Sequence, residues 1–412
     1  MRALAAALVA AALGLAAAAP APADTIPYPD DAYPNLQAAI DAAQDGDTVL
    51  VAKGSYTETA FVTDKSNLTI RGKGYPALNG PGAAFTIING SVITITGFQV
   101  EGGGGAVSAN NVSGLTVTKV RVAAPSTDVF SFSNCAGVLL SKCRVTDATG
   151  NVVQDATSSG LRIEKCRFLN NGSGDVLRIS PYEGGSSGSN GAVISKNRIV
   201  GGSTAIRFGG TGATIEKNRI AGINGNGISF EGSTETTGTV VSKNRIQNSG
   251  GADAIYSIED AVTIERNRLT GGGIYSVGNG VTFDRNGVRN PDGDGIYSFG
   301  NNVTLTRNKV AGAADDGFDL NGGVQTVDRN KATGCDGTGI YMNFGTAGSV
   351  LSGNRVVASD QFGIAIVDSG MTVTNNRASG NGMLDYADSQ SDGTNTLSGN
   401  RFGTSQFDYV FN

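Results

Sequence analysis

One hexapeptide recurs through most of the chain. "ISKNRI", "IEKNRI", "VSKNRI", "IERNRL" and their relatives place an asparagine at positions 197, 218, 244, 267, 286, 308, 330, 354, 376 and 400. Followed backwards, the same slot holds Cys166, Cys143, Val120, Gly97 and Gly72, and the spacing averages about 23 residues. A unit this short, built on runs such as "TVT" and "TIE" and closed by a glycine-rich turn, cannot bury an apolar face alone and must stack on its neighbours. Stacked units make parallel sheets, so each repeat is one coil of an all-β solenoid rising ~4.8 Å per rung. The asparagines are structural on this reading: Asn tolerates the left-handed bend between two strands, and its amide can bond to the amides above and below.

The chain has 61 glycines, no tryptophan and 7% aromatic residues, which suits short strands joined by tight turns. Histidine is absent. That excludes imidazole bases, Ser-His pairs and His-ligated zinc or iron, and leaves Asp, Glu, Lys, Arg, Tyr and Cys for any chemistry. Residues 1–23 run from Arg2 through an Ala/Leu/Val stretch to "APA", the order of a signal peptide, so the mature protein is expected to be secreted or periplasmic. That stretch is short for a membrane span, and no other approaches the roughly 18 apolar residues one needs. Loss of Arg2 moves the formal charge from -5 to -6. Four cysteines are too few for a disulfide scaffold. Cys143 and Cys166 fall one rung apart in the same slot, where parallel side chains make a disulfide torsion awkward, so buried free thiols are expected.

Residues 24–62 read as an N-terminal cap. "YPNLQAAIDAAQDGDTVLVAKGSYTE" (33–58) predicts a helix over about 35–44 and a first strand, with the helix covering an otherwise open sheet end. Residues 63–412 are then the solenoid with its C-terminal cap. This segment, with "SNLTIRGKGYPALNG" (66–80) and the "N-R-I" coils, resembles the right-handed parallel β-helix proteins of the pectin lyase-like superfamily. The resemblance implies a single right-handed β-helix of about 15 coils, a monomer, that binds polysaccharide on the outer face of its first sheet.

The strands after each glycine turn align as "VLRIS", "AIRFG", "GISFE", "AIYSI", "GIYSV", "GIYSF", "GFDLN", "GIYMN" and "GIAIV". Period-two alternation turns one column outward: Arg178, Arg207, Ser229, Tyr256, Tyr275, Tyr297, Asp319, Tyr341, Ala365. Tyr256, Tyr275, Tyr297 and Tyr341 can lie flat under sugar rings, or form a ladder that only stabilises the sheet. Arg178 and Arg207 sit between two insertions, "SPYEGGSSGSNG" (180–191) and "EGSTETTG" (231–238), and can fork onto carboxylates or sulfates of an acidic glycan unless Glu183 and Glu231 neutralise them.

"ADDGFDLNG" (314–322) holds three carboxylates within five residues. Asp316 occupies a turn slot that also holds Asp175, Asp253 and Asp294 in other coils, whereas Asp315 and Asp319 depart from the repeat. D-D-x-x-D is similar to the calcium cluster of one pectate lyase family. That likeness implies a Ca2+ site at Asp294, Asp315, Asp316 and Asp319, with Asn321 or Asn343 adding oxygens. The similar family uses a lysine base further along, and no Lys follows Lys331 here. Arginine serves as the base elsewhere in the superfamily, which makes Arg178 and Arg207 the catalytic candidates. Three readings stay open: a calcium-assisted lyase of acidic polysaccharide, a glycan-binding protein without chemistry, and a structural or surface rod.

The residue before the Asn slot is Lys or Arg in ten coils, Lys119 to Arg329, and the residue after it in twelve, Arg121 to Arg401, which takes 22 of 31 basic residues. Glu164, Glu216, Glu265, Asp284 and Asp328 recur one residue further back, so both rows are expected to form an ion-pair ladder with solvated heads. Without interleaved aromatics, no nucleic-acid partner is expected.

Overall fold

The computed structural model describes residues 23–180, 189–230, 238–247, 253–391 and 393–411. Apart from Ala23, the expected signal peptide lies outside these residues. The chain is a right-handed parallel β-helix. Each coil contributes one strand to each of three parallel sheets of 16, 17 and 16 strands. In one coil these are Ile296–Phe299 on the first sheet, Val303–Thr306 on the second and Lys309–Ala311 on the third.

Alternation builds the core. Ile206, Ile228, Ile255, Ile274, Ile296, Phe318 and Ile340 follow one another inward on successive rungs, each at most 1% exposed. Each such side chain contributes roughly 1.5–3 kcal/mol by leaving water. At the N-terminal end a helix, Leu36–Ala42, starts at Asn35, whose Oδ1 accepts from the Ala38 N–H at 2.8 Å. Leu36, Ala39 and Ile40 turn inward and close the barrel. At the other end the chain doubles back: Tyr409 and Phe411 pack on buried Phe362, Ala365 and Ala387, beside Tyr341, on the outer face of the first sheet.

The asparagine column is buried and continuous. From Asn197 to Asn400, every Nδ2 donates to the Oδ1 of the next asparagine at 2.9–3.2 Å. The same Oδ1 also takes the preceding backbone N–H, as from Asn286 to Asn308 at 2.9 Å. The left-handed bend belongs to a different residue than expected. It is taken by the Lys or Arg before the slot, with φ of 59° at Lys196, 55° at Arg285 and 54° at Arg329. The amide must point inward to reach its neighbours, so the strained turn falls one position earlier, where the side chain points to water. Gly97, which aligns with Lys119, is likewise the bend, and the slot of that coil is filled by buried Phe98.

The two basic rows differ. Lys165, Lys217, Arg266, Arg285 and Arg329, all before the slot, pair with the acid that precedes them, at 2.7–3.8 Å. The row after the slot, on the third sheet, makes no ion pair among the described residues. The expected double ladder is therefore single, because the alternation sends the two rows away from the slot in different directions and the acids follow only the first. All four cysteines are free and buried, and the thiols of Cys143 and Cys166 each donate to a backbone carbonyl at 3.5 Å.

Candidate functional site

The outward column of the first sheet is in register from end to end: Arg178, Arg207, Ser229, Tyr256, Tyr275, Tyr297, Asp319, Tyr341 and Ala365 occupy successive rungs. Within it the side chains organise differently along the rod. Tyr256, Tyr275 and Tyr297 stack on one another with centroids 5.3 and 4.7 Å apart and planes within 5°. The face of each ring is used against the next, so the row offers water its edges and hydroxyls; no sugar ring can lie flat under Tyr275. Burial, then the neighbouring phenol and nearby carboxylates, push the Tyr275 and Tyr297 hydroxyls up. They are hydrogen-bond donors at neutral pH. Tyr341 stands apart from the stack, with its ring 6.0 Å from Phe411.

Arg178 and Arg207 converge on one partner that spacing did not suggest. Asp175, in the turn before its strand, lies 2.6 Å from Arg207 Nε and 3.5 Å from Arg178 Nη1. The signal was present: Asp175 precedes Arg178 by three residues, and the register sets Arg207 beside Arg178 on the next rung. Glu183 and Glu231 lie outside the described residues. Five rungs separate Arg207 from Asp319, roughly 24 Å at ~4.8 Å per rung.

The acidic cluster is built by two consecutive turns. Asp294 Oδ1 accepts the Asp316 N–H at 3.0 Å, and Asp316 Oδ1 accepts the Thr338 N–H at 2.5 Å, so each aspartate holds the turn of the next coil. This is the turn role that the repeat implies. It also brings Asp315 alongside, and Asp294, Asp315 and Asp316 each place a carboxylate oxygen within 4.8 Å of the others. Asp319 is outside this convergence, with its Oδ1 accepting from Asn321 Nδ2 at 2.9 Å. Gly337 keeps the space open: a Cβ there would lie 2.4 Å from Asp316 Oδ1 and 2.9 Å from Asp315 Oδ1.

None of the four carboxylates makes an ion pair among the described residues. Burial first, and the neighbouring acids second, push Asp316 up to about 7 and Asp294 up to about 6. Asp319 is raised as well, by burial and then Asp315. An all-oxygen donor set short of positive charge fits a hard divalent cation, or else holds protons in its place. Lys331 is on the third sheet, paired in register with Lys309 and Arg355, and is not part of this site.

The family described as right handed beta helix region matches residues 272–406. No curated protein matches the chain in sequence. Similar solved structures include PfbA, a surface adhesin of Streptococcus pneumoniae, at 14% identity and a TM-score of 0.47, over 78% of this chain and 87% of that one. DFA-IIIase from Arthrobacter chlorophenolicus A6 is similar at 12% identity and a TM-score of 0.45, over 64% and 74%. A GH87 alpha-1,3-glucanase from Streptomyces thermodiastaticus is similar at 16% identity and a TM-score of 0.40, over 95% and 71%. Among the described residues no helix is long and apolar enough to cross a membrane.

Proposed function

We propose that this protein binds an acidic polysaccharide along the outer face of its first sheet, with a divalent cation such as Ca2+ at the acidic turns. The observation that carries the reading is the convergence of Asp294, Asp315 and Asp316, without a cationic partner, beside an in-register row of tyrosine hydroxyls. Asp294, Asp315 and Asp316 would hold the cation, joined by Asp319 if it releases Asn321. Bound there, the cation supplies positive charge that neutralises a sugar carboxylate. Tyr256, Tyr275 and Tyr297 donate to hydroxyl and ring oxygens one or more rungs away, and their shared stacking holds those donors still. Binding is favoured over cleavage because a lyase needs a base beside the acidified proton. Among the described residues neither Lys nor Arg stands at the cluster, and Arg178 and Arg207 are engaged with Asp175 five and six rungs off.

The test is calorimetric titration of calcium into the chelated protein and into an Asp315→Asn/Asp316→Asn variant, then titration of polygalacturonate with and without calcium. Asn keeps the Oδ1 acceptor for Thr338, so the turn survives. Calcium binding lost in the variant, together with calcium-dependent polygalacturonate binding, supports the reading. No calcium binding in the wild type sinks it. New absorbance at 235 nm from unsaturated products would replace it with the lyase.

A further inference from the structure

The unpaired basic row of the third sheet has one gap. On the strand Gly287–Arg289 the outward place that its neighbours fill with Arg268 and Lys309 belongs to Gly287. Neither backbone nor packing asks for glycine there: its φ is outside the left-handed region, and a Cβ would meet nothing within 4 Å. A trough of about 640 Å³ lies over this place. Arg268 and Lys309 border it on the adjacent rungs, Arg245 and Lys331 on the rungs beyond, and Arg289 from the same strand. Among the described residues no carboxylate lines it. None of the five cations has an ion-pair partner among the described residues.

Like charges held in register at ~4.8 Å repel, and a chain of net charge -5 has acids enough to offset them. It places those acids on the other basic row instead. We infer that the trough at Gly287 is a second binding site, which takes an anionic group of an extended acidic polysaccharide running along the third sheet. Cations in register on the rungs either side of Gly287, with Arg289 on its own strand, suit a polymer that carries one anionic group per extended sugar unit. The phosphates of a DNA duplex wind away from a straight row, and single-stranded nucleic acid wants aromatic platforms, of which none lines this trough among the described residues. Arginine forks can grip a carboxylate or sulfate bidentately, and Lys309 and Lys331 add point charges.

The site differs from the acidic turns in sheet, charge and need for metal, so the two can fail separately. The experiment titrates polygalacturonate oligomers into the full-length mature protein in EDTA, where the acidic turns hold no cation, with oligo(dT) alongside. Two variants are compared, Gly287→Arg and Arg268→Gln/Lys309→Gln, with circular dichroism and melting to show that each is folded. EDTA-resistant binding that weakens with salt, and about tenfold or more in both variants, is the expected result. Gly287→Arg is decisive because it adds a positive charge while filling the trough. Unchanged or tighter binding in that variant would overturn the site in favour of diffuse attraction. Absence of EDTA-resistant binding in the wild type, or tighter binding of oligo(dT), would overturn it too.

Discussion

Asn308 shows what one residue does in this column. Its Oδ1 receives both the N–H and the Nδ2 of Asn286, and its own Nδ2 serves the Phe283 carbonyl and Asn330 at once. Asn308→Ala would take the partner from the buried Asn286 N–H and the side-chain donor from the Phe283 carbonyl, and leave Asn286 Nδ2 with only the Ile264 carbonyl. At ~1–3 kcal/mol for each orphaned group, offset by partial relaxation, the loss should be about 3 kcal/mol or more, read as a fall in the denaturation midpoint. Lys309→Ala, one residue on and facing water, should leave that midpoint nearly unchanged. The contrast separates a structural amide from a surface charge in adjacent positions.

At the scale of the element, the turns that carry Asp294 and Asp316 serve two ends. They bind the next coil's backbone, and they gather charge that nothing in the described chain neutralises. Both carboxyls are raised above the ordinary carboxylate value, so from about pH 4 to about pH 7 the folded chain holds more protons than the unfolded one. Stability then falls as pH rises through that window. In chelator, the melting temperature should drop between about pH 4.5 and 7.5, and drop less in an Asp294→Asn/Asp316→Asn variant. Equal drops in both proteins would show that these carboxyls do not set the trend.

The strand elements were the legible part of this molecule. Period-two alternation located every residue from Arg178 to Ala365 in the outward column, because register in a solenoid leaves no freedom once the core face is known. What alternation cannot state is how neighbours on the column share their surfaces. The tyrosine rings use their faces on each other, Asp175 reaches up from a turn to hold two arginines, and the bend falls on Lys and Arg rather than Asn. Each depends on side-chain direction out of the sheet plane, which a repeat pattern does not encode. Three of the four expected cluster residues converge, and Asp319 turns aside to an amide two residues away on its own strand.

Along the whole rod the packing changes character. From Asn197 onward the inward slot is an amide ladder, whereas the earlier coils fill it with Phe98, Val120, Cys143 and Cys166, which offer packing and, between rungs, only the weak thiol contacts of Cys143 to the Val117 carbonyl and Cys166 to the Leu140 carbonyl. Coils in a solenoid contact only their neighbours, so local stability follows local rungs. Native-state hydrogen exchange should therefore run faster in Arg121–Ala123 and Arg144–Thr146 than in Lys309–Ala311 and Arg355–Val357, by about an order of magnitude. Uniform protection across the four strands would show that the amides add nothing beyond packing.

The returning tail sets a limit of another kind. Tyr409 and Phe411 lie across Ala365 and Ala387, just past Tyr341, so the face that bears the tyrosine row is walled at one extremity. In the opposite sense the column continues past Arg178 to Gln154 and Ser131. A polymer laid on this face meets a stop beyond Tyr341. On the proposed function, the protein would seat the terminus of a chain near Asp319 and let the remainder trail toward the N-terminal coils, giving the ligand a head and a tail.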